Sequence, residues 1–134
     1  MLNPFPTLLS LSFFAPTILR ITLGIYLLYF GLRKLTKSRK LESDLLERIG
    51  FRPGIYFAVG CGLVEIIAAI FLILGFLTQI AALIAALITI SGAWLKIKSP
   101  TLRSENLSSY LLILAIAVSL LALGAGAFAI DLPL

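Results

Sequence analysis

Histidine is absent from this 134-residue chain, and cysteine occurs once, at Cys61. Without imidazole, ordinary haem, copper and zinc sites are not expected, and no metal site is assigned. A single cysteine cannot close an internal disulfide, so dithiol chemistry would need a partner protein. Charge is scarce too: 13% of the residues are charged and 60% are hydrophobic. The net charge of +5 comes from basic residues that flank apolar runs. Anionic lipid head groups are therefore the expected counterpart, and nucleic acid is not. Met1–Ser12 has no basic side chain and contains Pro4 and Pro6, so it reads as an interfacial lead-in and not as a cleavable leader.

What the chain does have is four long apolar runs, with a mean hydropathy of +1.11. Runs of about 20 apolar residues cross the hydrocarbon core of a bilayer as helices. The expected fold is all-α: an integral membrane four-helix bundle, up-down-up-down, forming a single domain over 1–134. The spans fall at about 13–35, 55–75, 77–97 and 107–128.

The run from Ile55 to Gly75 organises the others, because Glu65 at its middle is its only charge. A carboxylate near the bilayer centre costs about 2.5–3.5 kcal/mol on insertion scales. Arg20 is the one cation inside another apolar span. It lies eight residues from Ser12, roughly 12 Å deep, and Glu65 lies ten from Gly75, roughly 15 Å deep. Antiparallel helices would set the two at similar depth. An Arg20–Glu65 pair at hydrogen-bond distance is therefore predicted, either as a polar binding site or as a clamp on helix register.

Small residues mark the packing faces. Gly24 and Gly31 follow Arg20 on the first span. Gly54, Ala58, Gly62, Glu65 and Ala69 share a face of the second. Ala82, Ala86, Thr89 and Ala93, with Gly92, line the third, and Ala115, Ser119, Ala122 and Gly126 the fourth. Pro16 suits the first turn of its helix. Gly75–Gln79 allows only a tight hairpin. Ser104 is the expected N-cap of the fourth span, with Glu105 at its positive end.

Between spans one and two, Leu41, Leu45, Leu46 and Ile49 recur at helical spacing opposite the charges. A short amphipathic helix on the membrane surface is predicted, stopped by Gly50. Ten of the eleven basic residues lie in or beside the two loops on this side; Arg20 is the exception. The positive-inside rule then puts these loops in the cytoplasm and both termini outside, in an inner or cytoplasmic membrane. Lys34, Lys96 and Glu105 mark the cytoplasmic edge. Cys61 is expected to be a small packing residue. Tyr26, Tyr29, Trp94 and Tyr110 are candidate interface or core aromatics, or the lining of a pocket.

These residues also carry a resemblance. Arg20-Ile-Thr-Leu-Gly24, Phe30-Gly31-Leu32-Arg33-Lys34-Leu35, Gly62-Leu63-Val64-Glu65, Leu74 to Ala82, and Glu105-Asn106-Leu107 resemble, in order, the motifs of the DoxX-like membrane proteins. The resemblance implies a four-helix membrane bundle linked to redox complexes: small subunits of quinone-linked oxidases and thiosulfate:quinone oxidoreductases, and partners of thiol-oxidising systems. Two positions depart from it. Phe30 stands where histidine is frequent, and Gln79 where arginine is. The expected role is thus an accessory or quinone-interacting subunit without catalysis of its own. Quinone is the one cofactor the resemblance suggests. Expected partners are the bilayer, a redox complex and a second copy of the chain. A membrane carrier or binding protein, or a scaffold, is the alternative. Four spans leave little room for alternating access.

Overall fold

The computed structural model describes residues 11–130. After a 3₁₀ turn at Ser12–Phe14 come five helices: α1 (Ala15–Leu35), α2 (Arg39–Arg48), α3 (Gly54–Leu74), α4 (Thr78–Lys98) and α5 (Leu107–Leu123). No strand occurs among the described residues. The lead-in at Met1–Ser12 lies almost wholly outside them, as do Asp131 and Pro133.

The long helices form an up-down-up-down bundle in which α1 packs on α3, α3 on α4, α4 on α5, and α5 back on α1. With α1 taken back through its 3₁₀ turn, three helices are long and apolar enough to cross a membrane: Ser12–Leu35, Gly54–Leu74 and Thr78–Lys98. The fourth is shorter than predicted. α5 has 17 residues, about 26 Å of helix, and stops at Gly124, whose φ of 76° and ψ of −160° are not helical. Its start also differs: Asn106, not Ser104, is the N-cap.

Without a hydrophobic drive between helices in lipid, close backbone approach must hold them together. The core accordingly consists of alanines (Ala68, Ala69, Ala81, Ala82, Ala85, Ala86 and Ala117) with Leu23, Leu27, Leu72, Ile113 and Leu120. Large apolar side chains such as Ile18, Ile25, Ile67, Leu83, Leu87, Leu111 and Leu112 face outward, as a lipid-facing surface requires. The predicted small face of the second span is buried, and so is that of the third except for Ala93, which is half-buried. That of the fourth is not: α5 packs through Tyr110, Ile113, Ala117 and Leu120, and Ala115 and Ala122 are exposed.

The α1–α3 register follows from the glycines. A methyl at Gly24 would meet Ile73 Cγ1 at 2.7 Å and Ala69 O at 3.1 Å. At Gly31 it would meet Ile66 Cγ1 at 2.8 Å, Gly62 O at 3.1 Å and Glu65 Cβ at 3.2 Å. Gly75, one turn further along α3, lies against the Arg20 guanidinium. Gly75 ends α3 in the left-handed region (φ 70°), and Phe76 N donates to Phe71 O at 2.9 Å. This closes the predicted tight hairpin.

α2 forms as predicted, but it turns a different face to the bundle. Glu42, Ser43 and Leu45 are buried, whereas Leu41, Leu46 and Ile49 are only half-buried. The reason is Gly54. With no side chain, it lets the Ser43 carbonyl press on the start of α3, and its N–H donates to Glu47 Oε1 at 3.1 Å. α2 is thereby folded onto α3.

Candidate functional site

The register separates the predicted pair. Arg20 lies level with Gly75, and Glu65 lies level with Gly31, so the two charges are about 15 Å apart along the bundle. The sequence-based depth failed because it took Ser12 as the partner level of Gly75. Arg20 instead donates to Ala125 O at 2.8 Å and to Phe128 O at 3.3 Å. Thr17 Oγ1 donates to Ala127 O at 2.7 Å. The segment after α5 is thus strapped across the hairpin end of the bundle. The guanidinium lies at the C-terminal, negative ends of α3 and α5, which favour a cation.

Glu65 finds its cation at the opposite, basic end. Lys34 Nζ donates to Glu65 Oε1 at 2.7 Å, with the two side chains 14% and 4% exposed. The Gly31–Gly62 contact brings the helices close enough for this, one turn before Lys34. A second pair lies beside it: Arg103 Nη2 donates to both Glu42 oxygens, at 2.7 and 2.6 Å. Arg103 Nη1 donates to the Tyr110 hydroxyl at 2.8 Å. Burial alone would lower the affinity of Arg103 for its proton, but Glu42 and Tyr110 outweigh that and hold it above the ordinary arginine value. At the rim, Arg33 Nη1 donates to Glu105 Oε1 at 2.7 Å. Lys96 Nζ donates to Pro100 O at 2.8 Å and to Arg103 O, fixing the loop that delivers Arg103.

Of the predicted site residues, Lys34, Glu65, Tyr26, Tyr110 and Glu105 line one small cavity, and Arg20 does not join them. Tyr29 also stays apart: it is 60% exposed and packs edge-on to Phe30. Glu42 and Arg103 were missed. Nothing in their spacing sets them apart from the other loop charges, because they meet only once α2 folds onto α3.

A groove of about 530 Å³ opens between α3 and α4. Phe57, Ala58 and Cys61 line one side, Leu87, Ile90 and Trp94 the other, and Leu46 of α2 with Ile49 just after it floor it. Its inner end is polar, formed by Lys34, Glu42 and Arg103. Cys61 is exposed and lines this groove, so it is not the packing residue expected from its glycine neighbours.

An all-helical bundle with a lipid-facing apolar surface and charges paired at one end defines an integral membrane helical protein. The family described as DoxX matches residues 15–98, more than half of the chain, and the chain belongs to that family. The match covers α1 through α4 and ends before Arg103, Glu105 and Tyr110. No curated protein and no solved structure matches the chain.

Proposed function

We propose that this protein is a quinone-interacting accessory subunit of a redox complex in the cytoplasmic membrane, oriented with the basic end in the cytoplasm. The groove between α3 and α4 carries the reading. Its volume lies in the range of small-molecule sites, it is apolar along its length, and it ends in polar groups. That end offers donors without net charge. Lys34 is balanced by Glu65 and Arg103 by Glu42, yet Lys34 Nζ uses one of its three N–H groups on Glu65. An uncharged head group with acceptor oxygens and an apolar tail fits those demands, and a quinone is such a molecule. A membrane carrier would have to open the bundle from both sides, which the alanine-packed core disfavours.

The test is solvent extraction of protein purified from its native membrane, followed by chromatography of the extract. Bound quinone is expected near one per chain, and Cys61→Phe, which fills the groove, should remove it. A quinone-free protein, or full retention in that variant, would overturn the assignment. Co-purification of a redox partner tests the accessory role separately.

A further inference from the structure

Behind the polar end of the groove lies a second, smaller cavity of about 50 Å³. The two share Lys34, Glu42, Ile88, Gly92 and Arg103, and the smaller one is also lined by Glu65 and Thr89. Glu65 Oε1 accepts from Lys34, but Glu65 Oε2 is buried with no hydrogen-bond partner among the described residues. An unsatisfied buried carboxylate oxygen is costly, and such positions are filled by a bound water or a proton. The cavity has room for one or two waters at roughly 30 Å³ each. Glu65, Arg103, Thr89, Tyr26 and Tyr110 line the cavity and bring to it the polar groups a buried water needs, while Glu65 Oε2 and Arg103 Nε are themselves fully buried.

We propose that this cavity is a proton-binding site, in which Glu65 takes up a proton through bound water and thereby changes the charge at the inner end of the groove. In the step, a hydronium ion transfers its proton to Glu65 Oε2 and leaves water; the carboxylate becomes a neutral acid, and nothing is oxidised or reduced. The titratable and charged groups lining the cavity with Glu65 are Lys34, Arg33 and Tyr26 from α1, Glu42 from α2, Arg103 and Glu105 from the α4–α5 loop, and Tyr110 from α5; α4 contributes none, only Ile88, Thr89 and Gly92. Of the three carboxylates, Glu42 is held through both oxygens by Arg103, and Glu105 sits at the rim with Arg33. Glu65 alone combines deep burial with an unpartnered oxygen. Its protonation leaves Lys34 without a counter-charge, and because Lys34 also lines the groove, one positive charge appears where a head group would sit. The proton site stands without the quinone reading; only its coupling to a head group rests on that reading.

Infrared difference spectroscopy of the protein in liposomes, titrated with acid and free of added quinone, tests the site. A carboxylic acid band should grow on acidification, shift in D₂O, vanish in Glu65→Gln and persist in Glu42→Gln and Glu105→Gln. Should Glu65→Gln fail to insert, Glu65→Asp must displace the same band. Filling the cavity with Thr89→Leu should slow its deuterium exchange by an order of magnitude. Absence of such a band, or its survival in Glu65→Gln, overturns the proton site and leaves the groove reading intact. Adding a short-chain quinone should then shift the band. A Glu65 band that titrates but ignores quinone refutes the coupling alone.

Discussion

Lys34 and Glu65 meet at 2.7 Å beside a close contact of two helices, where Gly31 faces the Gly62 carbonyl. The ion pair and the glycine contact depend on each other. Removing one charge strands the other in a buried site, at a cost of about 3–5 kcal/mol. Glu65→Leu and Lys34→Met should each destabilise the bundle in detergent, and the double variant should recover much of the loss. Additive losses in a double-mutant cycle would show that the two do not interact.

Arg103 and Glu42 tie the α4–α5 loop to α2, and both are buried. Arg103→Leu should cost about 3–5 kcal/mol and release α2, read as faster hydrogen exchange over Arg39–Arg48. The raised proton affinity of Arg103 fixes the sign of its pH dependence. A cation held above its ordinary value contributes fully below that value and fails only beyond it, so alkaline solution short of the ordinary arginine range should not loosen α2.

Gly54 touches the Ser43 carbonyl through space that a methyl group would occupy. Gly54→Ala should therefore push α2 off α3, with an overpacking cost of about 1–3 kcal/mol. Gly60, where an added methyl would meet nothing within 4 Å, should accept alanine without loss. Thermal unfolding of the two variants makes the comparison.

Arg20 holds the strap at the hairpin end. Arg20→Leu should free the segment after Gly124 to proteolysis while leaving the basic end intact, at a cost of about 1.5–3 kcal/mol for the lost charged hydrogen bonds. Destabilisation of the Lys34–Glu65 contact by this variant would contradict the separation of the two charges.

The proposed orientation is checked by labelling cysteines introduced at Ser38 and Ser99, in a background with Cys61 replaced. Both should be protected in intact cells and react once the membrane is opened. Reaction from outside would invert the topology.

Much of the architecture was legible because it depends on local rules. Apolar runs gave the helices, Gly75 the hairpin, and the small face of α3 the side on which Glu65 lies. Which cation Glu65 meets was not legible, since it depends on axial register. That register is set by which glycine abuts which backbone, and a shift of two or three turns replaces Lys34 by Arg20. The end of α5 was misplaced because Ala125, Ala127 and Phe128 are as apolar as the helix before them, and only the backbone angles at Gly124 divide the two. Glu42 was lost in a run of loop charges: in sequence it looks like Asp44 or Glu47, and burial distinguishes it only after α2 docks.

The two buried ion pairs also differ in how soon they can form during synthesis. Lys34 and Glu65 are 31 residues apart, so α1 and α3 can neutralise each other as soon as both have left the ribosome. Glu42 must wait 61 residues for Arg103. Until the loop after α4 emerges, α2 carries an unmatched carboxylate and has reason to stay in the aqueous interface. The Glu42–Arg103 tie, and with it the inner end of the groove, is therefore completed last, after Gly54 has already given α2 its seat on α3.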